Sequence, residues 1–125
     1  MVWTIYREVK VSSAHQILSE GYQGKCKNLH GHNYRIQVWA KSKFLNEHGM
    51  VLDFTEIKNI INQFDHIMIN EKFKEYDDLR ITPTAENISK TIWYMLSTSG
   101  VPEGVAVQFK IRVWETDTSY AEYTE

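Results

Sequence analysis

His30-Gly31-His32-Asn33-Tyr34-Arg35-Ile36-Gln37-Val38-Trp39-Ala40-Lys41 is the stretch on which the reading of this chain turns. From Tyr34 onward the residues alternate: Tyr34, Ile36, Val38 and Ala40 on one side, Arg35, Gln37, Trp39 and Lys41 on the other. A period of two marks a strand with one face in a core and the other toward water. The pattern predicts a strand over 33–41. His30 and His32 keep the parity of the apolar face, so a strand that begins early turns both imidazoles coreward. Residues 3–15 alternate in the same way. Ile5, Val9, Val11, Ser13 and His15 share one face, with Arg7 as the exception; Tyr6, Glu8, Lys10 and Ser12 share the other. His15 therefore ends its strand on the core side. The connection over 16–32 is long and holds Gly21, Gly24, Cys26 and Gly31, and long connections in compact domains are often functional.

Beyond these strands the period changes. Residues 53–69 are predicted as a helix: Asp53 can cap it, Glu56 would complete a capping box, and Phe54, Ile57, Ile60, Ile61, Phe64 and Met68 form one apolar stripe. A second helix is predicted over 84–98, capped by Thr84, with Ile88, Ile92, Met95 and Leu96 buried and Gly100 and Pro102 as its stop. Strand alternation returns over 104–115, and a short strand over 118–124 follows the turn Thr116-Asp117-Thr118. The order ββααββ predicts an α+β fold, an antiparallel sheet covered by helices on one face. With no repeat or linker, residues 1–125 are expected to form one domain.

Composition narrows the function. Of the 125 residues 42% are hydrophobic and 24% charged, which excludes a disordered or collagen-like chain. The formal net charge of -2 leaves no basic excess for a nucleic-acid backbone, so no nucleic-acid partner is expected. No apolar run approaches the roughly 18 residues a membrane helix needs, and the first residues lack a signal-peptide pattern; the expectation is a cytoplasmic protein without a membrane partner. A single cysteine, Cys26, forbids an intrachain disulfide and a multi-cysteine zinc finger.

Three histidines at the ends of two neighbouring strands are harder to dismiss than one. Buried imidazoles without partners leave polar nitrogens unpaired, and a metal removes that penalty. His30 and His32 offer two ligands on one face and His15 a third. Three nitrogens leave an open position on a tetrahedral Zn2+, the arrangement of a catalytic zinc. Gly31 is expected to let the backbone bend between the two ligands. Cys26 is open to three readings: a fourth ligand, an inert thiol, or a thiolate favoured by Lys25 and Lys27 that serves as base. Asp65-His66, near the end of the first predicted helix, is either a solvated pair or a proton shuttle. Glu115 keeps the apolar parity of its strand; it is either an end residue in solvent or a carboxylate that accepts two parallel N–H bonds from a planar heterocycle. His48, in the turn Asn46-Glu47-His48-Gly49, is read as a surface residue.

At these residues the chain resembles the family of 6-pyruvoyl- and 6-carboxy-tetrahydropterin synthases, over nearly its whole length. The resemblance rests on Ala14-His15, Cys26-x-x-x-His30-Gly31-His32, Gly49-Met50-Val51-Leu52-Asp53-Phe54, Asp65-His66 with Ile69-Asn70, Pro83-Thr84-Ala85-Glu86-Asn87, Glu115-Thr116 and Tyr123. Val11 departs from the usual aromatic residue, and the terminus lacks the common Tyr-Arg/Lys ending. The resemblance implies the T-fold, in which subunits join their sheets into a barrel and two rings stack as a hexamer, here two trimers. It implies zinc on His15, His30 and His32, with Cys26 as base or acid. Asp65 and His66 would be its relay, often across a subunit boundary, and Glu115 the pterin anchor, assisted by Thr84 and Glu86. Three residues between the cysteine and His-Gly-His look like the bacterial carboxy enzymes of queuosine biosynthesis. The expected reaction converts 7,8-dihydroneopterin triphosphate to 6-carboxy-5,6,7,8-tetrahydropterin, acetaldehyde and triphosphate. The alternatives are a pyruvoyl synthase, which eliminates triphosphate without C–C cleavage, and a non-catalytic pterin- or purine-binding oligomer.

Overall fold

In the computed structural model, which describes residues 1–75, 82–99, 101–102 and 104–125, the chain is an α+β protein. Four antiparallel strands form one sheet in the order β1-β2-β3-β4: β1 Trp3–His15, β2 His30–Ser42, β3 Gln108–Thr116 and β4 Ser119–Thr124. Among the described residues between β2 and β3 lie three helices, α1 Phe54–Asn62, α2 Ile69–Phe73 and α3 Ala85–Ser99. The apolar parity of the strands faces the helices. Val9, Val11, Ile36, Val38, Phe109, Ile111 and Val113 are buried with Ile57, Ile61, Ile88, Ile92 and Leu96 in one core. The other face carries Tyr6, Glu8, Gln37, Trp39, Arg112 and Trp114, the polar and aromatic parity of the same strands.

The strand register sets up the site. β2 begins at His30, three residues earlier than its apolar alternation requires, and His15 stands directly opposite His30 in the β1–β2 ladder. Gly31 belongs to that ladder opposite Ala14 and lies in ordinary extended backbone with room for a Cβ, so it provides no bend between the two histidines. β3 begins at Gln108, not at residue 104. Its partner β2 has only Lys41 left to pair with Gln108, and Val105 is exposed where the ladder has run out.

The largest departure from the sequence pattern is in 53–69. Asp53 caps α1 by accepting the Thr55 N–H at 2.8 Å, but the helix stops at Asn62. The chain then turns through His66, whose φ of 55° is the only positive value among the described non-glycine residues. The reversal is stabilised by the free edge of β1. The Ser12 N–H donates to Asp65 Oδ1 at 2.9 Å, the His66 N–H to the Ser12 carbonyl at 2.6 Å, and the Ala14 N–H to the Ile67 carbonyl at 2.9 Å. Ser13 Oγ donates to the Phe64 carbonyl. Met68, placed by periodicity on the helical stripe, instead bridges Ala14 and precedes α2. Unpaired edge groups outcompete one more helical turn. α3 starts where expected: Thr84 Oγ1 accepts the Asn87 N–H at 3.2 Å. Its predicted stop at Gly100 lies outside the described residues.

Candidate metal centre

The β1–β2 register puts the three imidazoles edge to edge. His30 Nε2 lies 3.0 Å from His15 Nε2 and 2.8 Å from His32 Nε2. His15 is 1% exposed. Glu115, near the end of β3, reaches the same point: its Oε1 is 2.9 Å from His32 Nε2 and 3.5 Å from His15 Nε2. The Cys26 thiol faces that oxygen at 3.9 Å. One ligand atom from each of these five side chains falls within 4.8 Å of all the others.

Their proton inventory fits a cation. His15 Nδ1 is 2.7 Å from the Pro83 carbonyl, and His30 Nδ1 is 2.7 Å from the Asn28 carbonyl. A carbonyl only accepts, so each Nδ1 carries the proton and each neutral ring presents a bare lone pair at Nε2. Two lone pairs therefore face each other at 3.0 Å. Nothing in the neutral pair bonds them; a shared cation would. Three nitrogens bound to a tetrahedral zinc at ~2.0–2.1 Å stand roughly 3.3–3.4 Å apart, a few tenths of an ångström from the spacings seen. The backbone carbonyls that fix the ring tautomers are the second layer such a centre needs.

Charge in the site is coupled. His15, 3.5 Å away, does most to hold the Glu115 carboxyl below the usual range, against the effect of burial and with help from the other two histidines. Burial lowers His15 in turn, but Glu115 and the Pro83 carbonyl outweigh it and the net direction is up. Burial pulls His32 down more than Glu115 lifts it. Burial also pushes the Tyr34 phenol far up, so it stays an O–H donor. Its ring stands edge-on to His15 and His32, and its hydroxyl is buried without a partner among the described residues.

The loop that carries Cys26 is tied down by residues that carry no periodic signal. Asn70 at the start of α2 brackets Gln16: its Oδ1 accepts the Gln16 N–H at 3.0 Å and its Nδ2 donates to the Gln16 carbonyl at 2.8 Å. The side-chain amide thus acts as one more strand residue. Gln16 Nε2 donates to the Lys27 carbonyl at 3.1 Å, and the Ile17 N–H to the Cys26 carbonyl at 2.6 Å. Tyr22 Oη accepts the Cys26 N–H at 3.3 Å. Burial, followed by the neighbouring Cys26 side chain, raises the Tyr22 phenol.

Asp65 and His66 touch each other because they lie in the turn and not on a helix: Asp65 Oδ2 is 2.9 Å from His66 Nδ1. The Ser12 N–H, then His66, hold the Asp65 carboxyl low. The ring of His66 is 80% exposed. It lines a groove of about 380 Å³ together with Gly31, His32 and Asn33, and Cys26 is not part of that lining. Thr84 caps α3 one residue after the Pro83 carbonyl that holds His15, so the helix start reaches the centre through the backbone. Glu86 is exposed, with no hydrogen bond to the five-residue cluster among the described residues. His48 is exposed, as expected of a turn residue.

Comparison with known proteins gives one consistent result. The family profile described as 6-pyruvoyl tetrahydropterin synthase matches residues 4–125. A 6-carboxy-5,6,7,8-tetrahydropterin synthase of Synechocystis sp. is 36% identical over 132 residues, covering 98% of this chain and 93% of the relative. The enzyme of the same name from Haemophilus influenzae is 31% identical, covering 99% and 100%. The solved structure of Caenorhabditis elegans 6-pyruvoyl tetrahydropterin synthase superposes with a TM-score of 0.75 at 25% identity, over 100% of this chain and 96% of that one.

Proposed function

The chain belongs to the 6-pyruvoyl tetrahydropterin synthase family, and within it we propose that it is a 6-carboxy-5,6,7,8-tetrahydropterin synthase, a zinc-dependent carbon–carbon lyase. The observation that carries this reading is the convergence of His15, His30 and His32 with Cys26 and Glu115. Relatives that bear the carboxy name at 31–36% identity support the choice of reaction. With 7,8-dihydroneopterin triphosphate and water as substrates, the products are 6-carboxytetrahydropterin, acetaldehyde and triphosphate.

His15, His30 and His32 would hold zinc. Bound there, zinc supplies Lewis-acid polarisation of the substrate's side-chain hydroxyls, which makes the neighbouring C–H protons acidic. Glu115, kept ionised by the histidines around it, accepts two N–H bonds from the aminopyrimidinone edge of the pterin and orients the side chain toward Cys26. Thr84 and Glu86 at the start of α3 assist in holding the ring. Cys26 takes and returns protons on the pterin side chain. Asp65 fixes the tautomer of His66 through Nδ1 and leaves Nε2 to exchange a proton. In one protomer His66 shares a groove with His32 but not with Cys26, which favours relay to the site of a neighbouring subunit.

Oligomerisation belongs to the same proposal. Residues 65–68 cover β1 only around Ser12–Ala14; the rest of that edge and the outer edge of β4 have no strand partner among the described residues. Closing such edges into a T-fold barrel, in two stacked trimers, removes a liability to uncontrolled pairing. We place the single domain, residues 1–125, in the cytoplasm, where a free catalytic thiol stays reduced. Incubation of the purified protein with 7,8-dihydroneopterin triphosphate tests the proposal. Release of triphosphate supports an enzyme, and pterin binding without release would make the protein a non-catalytic carrier.

A further inference from the structure

We propose that Tyr22 is a positioning residue for Cys26, its hydroxyl accepting the Cys26 amide proton, with Gly24 supplying the room for that approach. The inference rests on the reading of Cys26 as the proton-transferring group. Two observations carry it. The Cys26 N–H points at Tyr22 Oη, 3.3 Å away. The second observation is Gly24. Its φ of -75° and ψ of 175° are open to any residue, so the backbone does not demand glycine. The space does: an added Cβ would lie 2.2 Å from Tyr22 Oη and 2.5 Å from its Cζ. The phenol is packed into the position that a side chain at residue 24 would occupy.

The loop is otherwise held from the carbonyl side of Cys26, through Ile17 and through Gln16 on Lys27. Tyr22 supplies the hold from the amide side. With both in place the sulfur is fixed opposite Glu115 and the three imidazoles. Without the phenol the short turn Lys25–Lys27 is held from the carbonyl side alone, and the direction of the sulfur loosens.

Gly24→Ala and Tyr22→Phe remove the same contact by different routes, which makes them a paired test. The readouts are kcat and KM for triphosphate release, and hydrogen exchange of the Cys26 amide followed by NMR. Each variant is expected to lower kcat by about 10- to 100-fold with KM within about twofold, as misplacement of a reacting group by ~1 Å would. Loss of the acceptor should speed exchange of the Cys26 amide by about 3- to 10-fold in both. The double variant should be no worse than the poorer single one. Wild-type exchange in Tyr22→Phe, or losses that multiply in the double variant, would overturn the proposal. Cys26→Ala run alongside separates the two readings. Full activity there removes Cys26 from the reaction, whereas an inactive Cys26→Ala beside a fully active Tyr22→Phe removes only the role of Tyr22.

Discussion

Replacing His30 by alanine should abolish the response of the protein to zinc while leaving its fold. His30 is the middle of the three rings, with Nε2 atoms at 3.0 and 2.8 Å on either side. Zinc that binds the folded chain a hundredfold above its dissociation constant stabilises it by about 2.7 kcal/mol. For 125 residues, an unfolding entropy of about 2.1 cal/mol/K per residue gives roughly 0.26 kcal/mol/K, so Tm should rise by about 10 °C. In His30→Ala two nitrogens remain and the rise should disappear. Its stability under chelator should stay within about 1 kcal/mol of wild type, since His30 is only partly buried and its lone pair no longer opposes that of His15. Differential scanning calorimetry with and without zinc reads both quantities. A wild-type protein with no zinc shift, or a His30→Ala variant with the full shift, would mean that the three facing imidazoles do not hold zinc.

Glu115→Gln should weaken pterin binding by about 1.5–3 kcal/mol, tenfold or more in affinity, because an amide turns one accepting oxygen into a donor; fluorescence titration with a pterin checks it. Asn70→Ala removes the two bonds that bracket Gln16 and should cost about 1–3 kcal/mol in urea unfolding. Asp65 has a carboxyl held low in the folded chain, so its contribution is present above the ordinary carboxylate range and is lost as pH falls through the folded value. The stability difference between wild type and Asp65→Asn should accordingly be present at pH 7 and shrink steadily below about pH 4 in acid titrations followed by circular dichroism.

Strand parity carried most of the site. His15, His30 and His32 share the parity of Val11, Tyr34 and Ile36, and antiparallel pairing then has few ways to arrange them other than opposite one another. Glu115 was legible for the same reason, as a carboxylate on the apolar parity of β3. Its approach to within 2.9 Å of His32 was not, because parity gives a face and not a distance. The helix over 53–69 failed where local preference met a tertiary demand. Phe64 and Met68 satisfy the helical spacing, yet the unpaired edge of β1 bonds to 65–68 and stops α1 at Asn62. That same event brings Asp65 into contact with His66, which continued helix geometry would have separated. Gly31 shows the opposite error: a glycine between two ligands invites a bend, and the ladder keeps it straight.

Tyr22, Asn70 and Gln16 lay beyond periodic reading. They act through side-chain hydrogen bonds to the backbone of a loop, and a loop has no repeating period from which a partner can be read. Asn70 stood inside a recognisable motif, but its task of extending β1 by one residue depends on α2 starting where it does. Gly24 could have raised the question, since a glycine that is not needed for φ is needed for space.

The reaction is read most directly from the ratio of acetaldehyde to triphosphate released from 7,8-dihydroneopterin triphosphate by the zinc-loaded protein, with the pterin product weighed by mass spectrometry. A 6-carboxytetrahydropterin synthase must release the two in equal amounts and leave a carboxylated tetrahydropterin. Triphosphate without acetaldehyde, with a product that keeps the three-carbon side chain, would make the protein a pyruvoyl synthase instead.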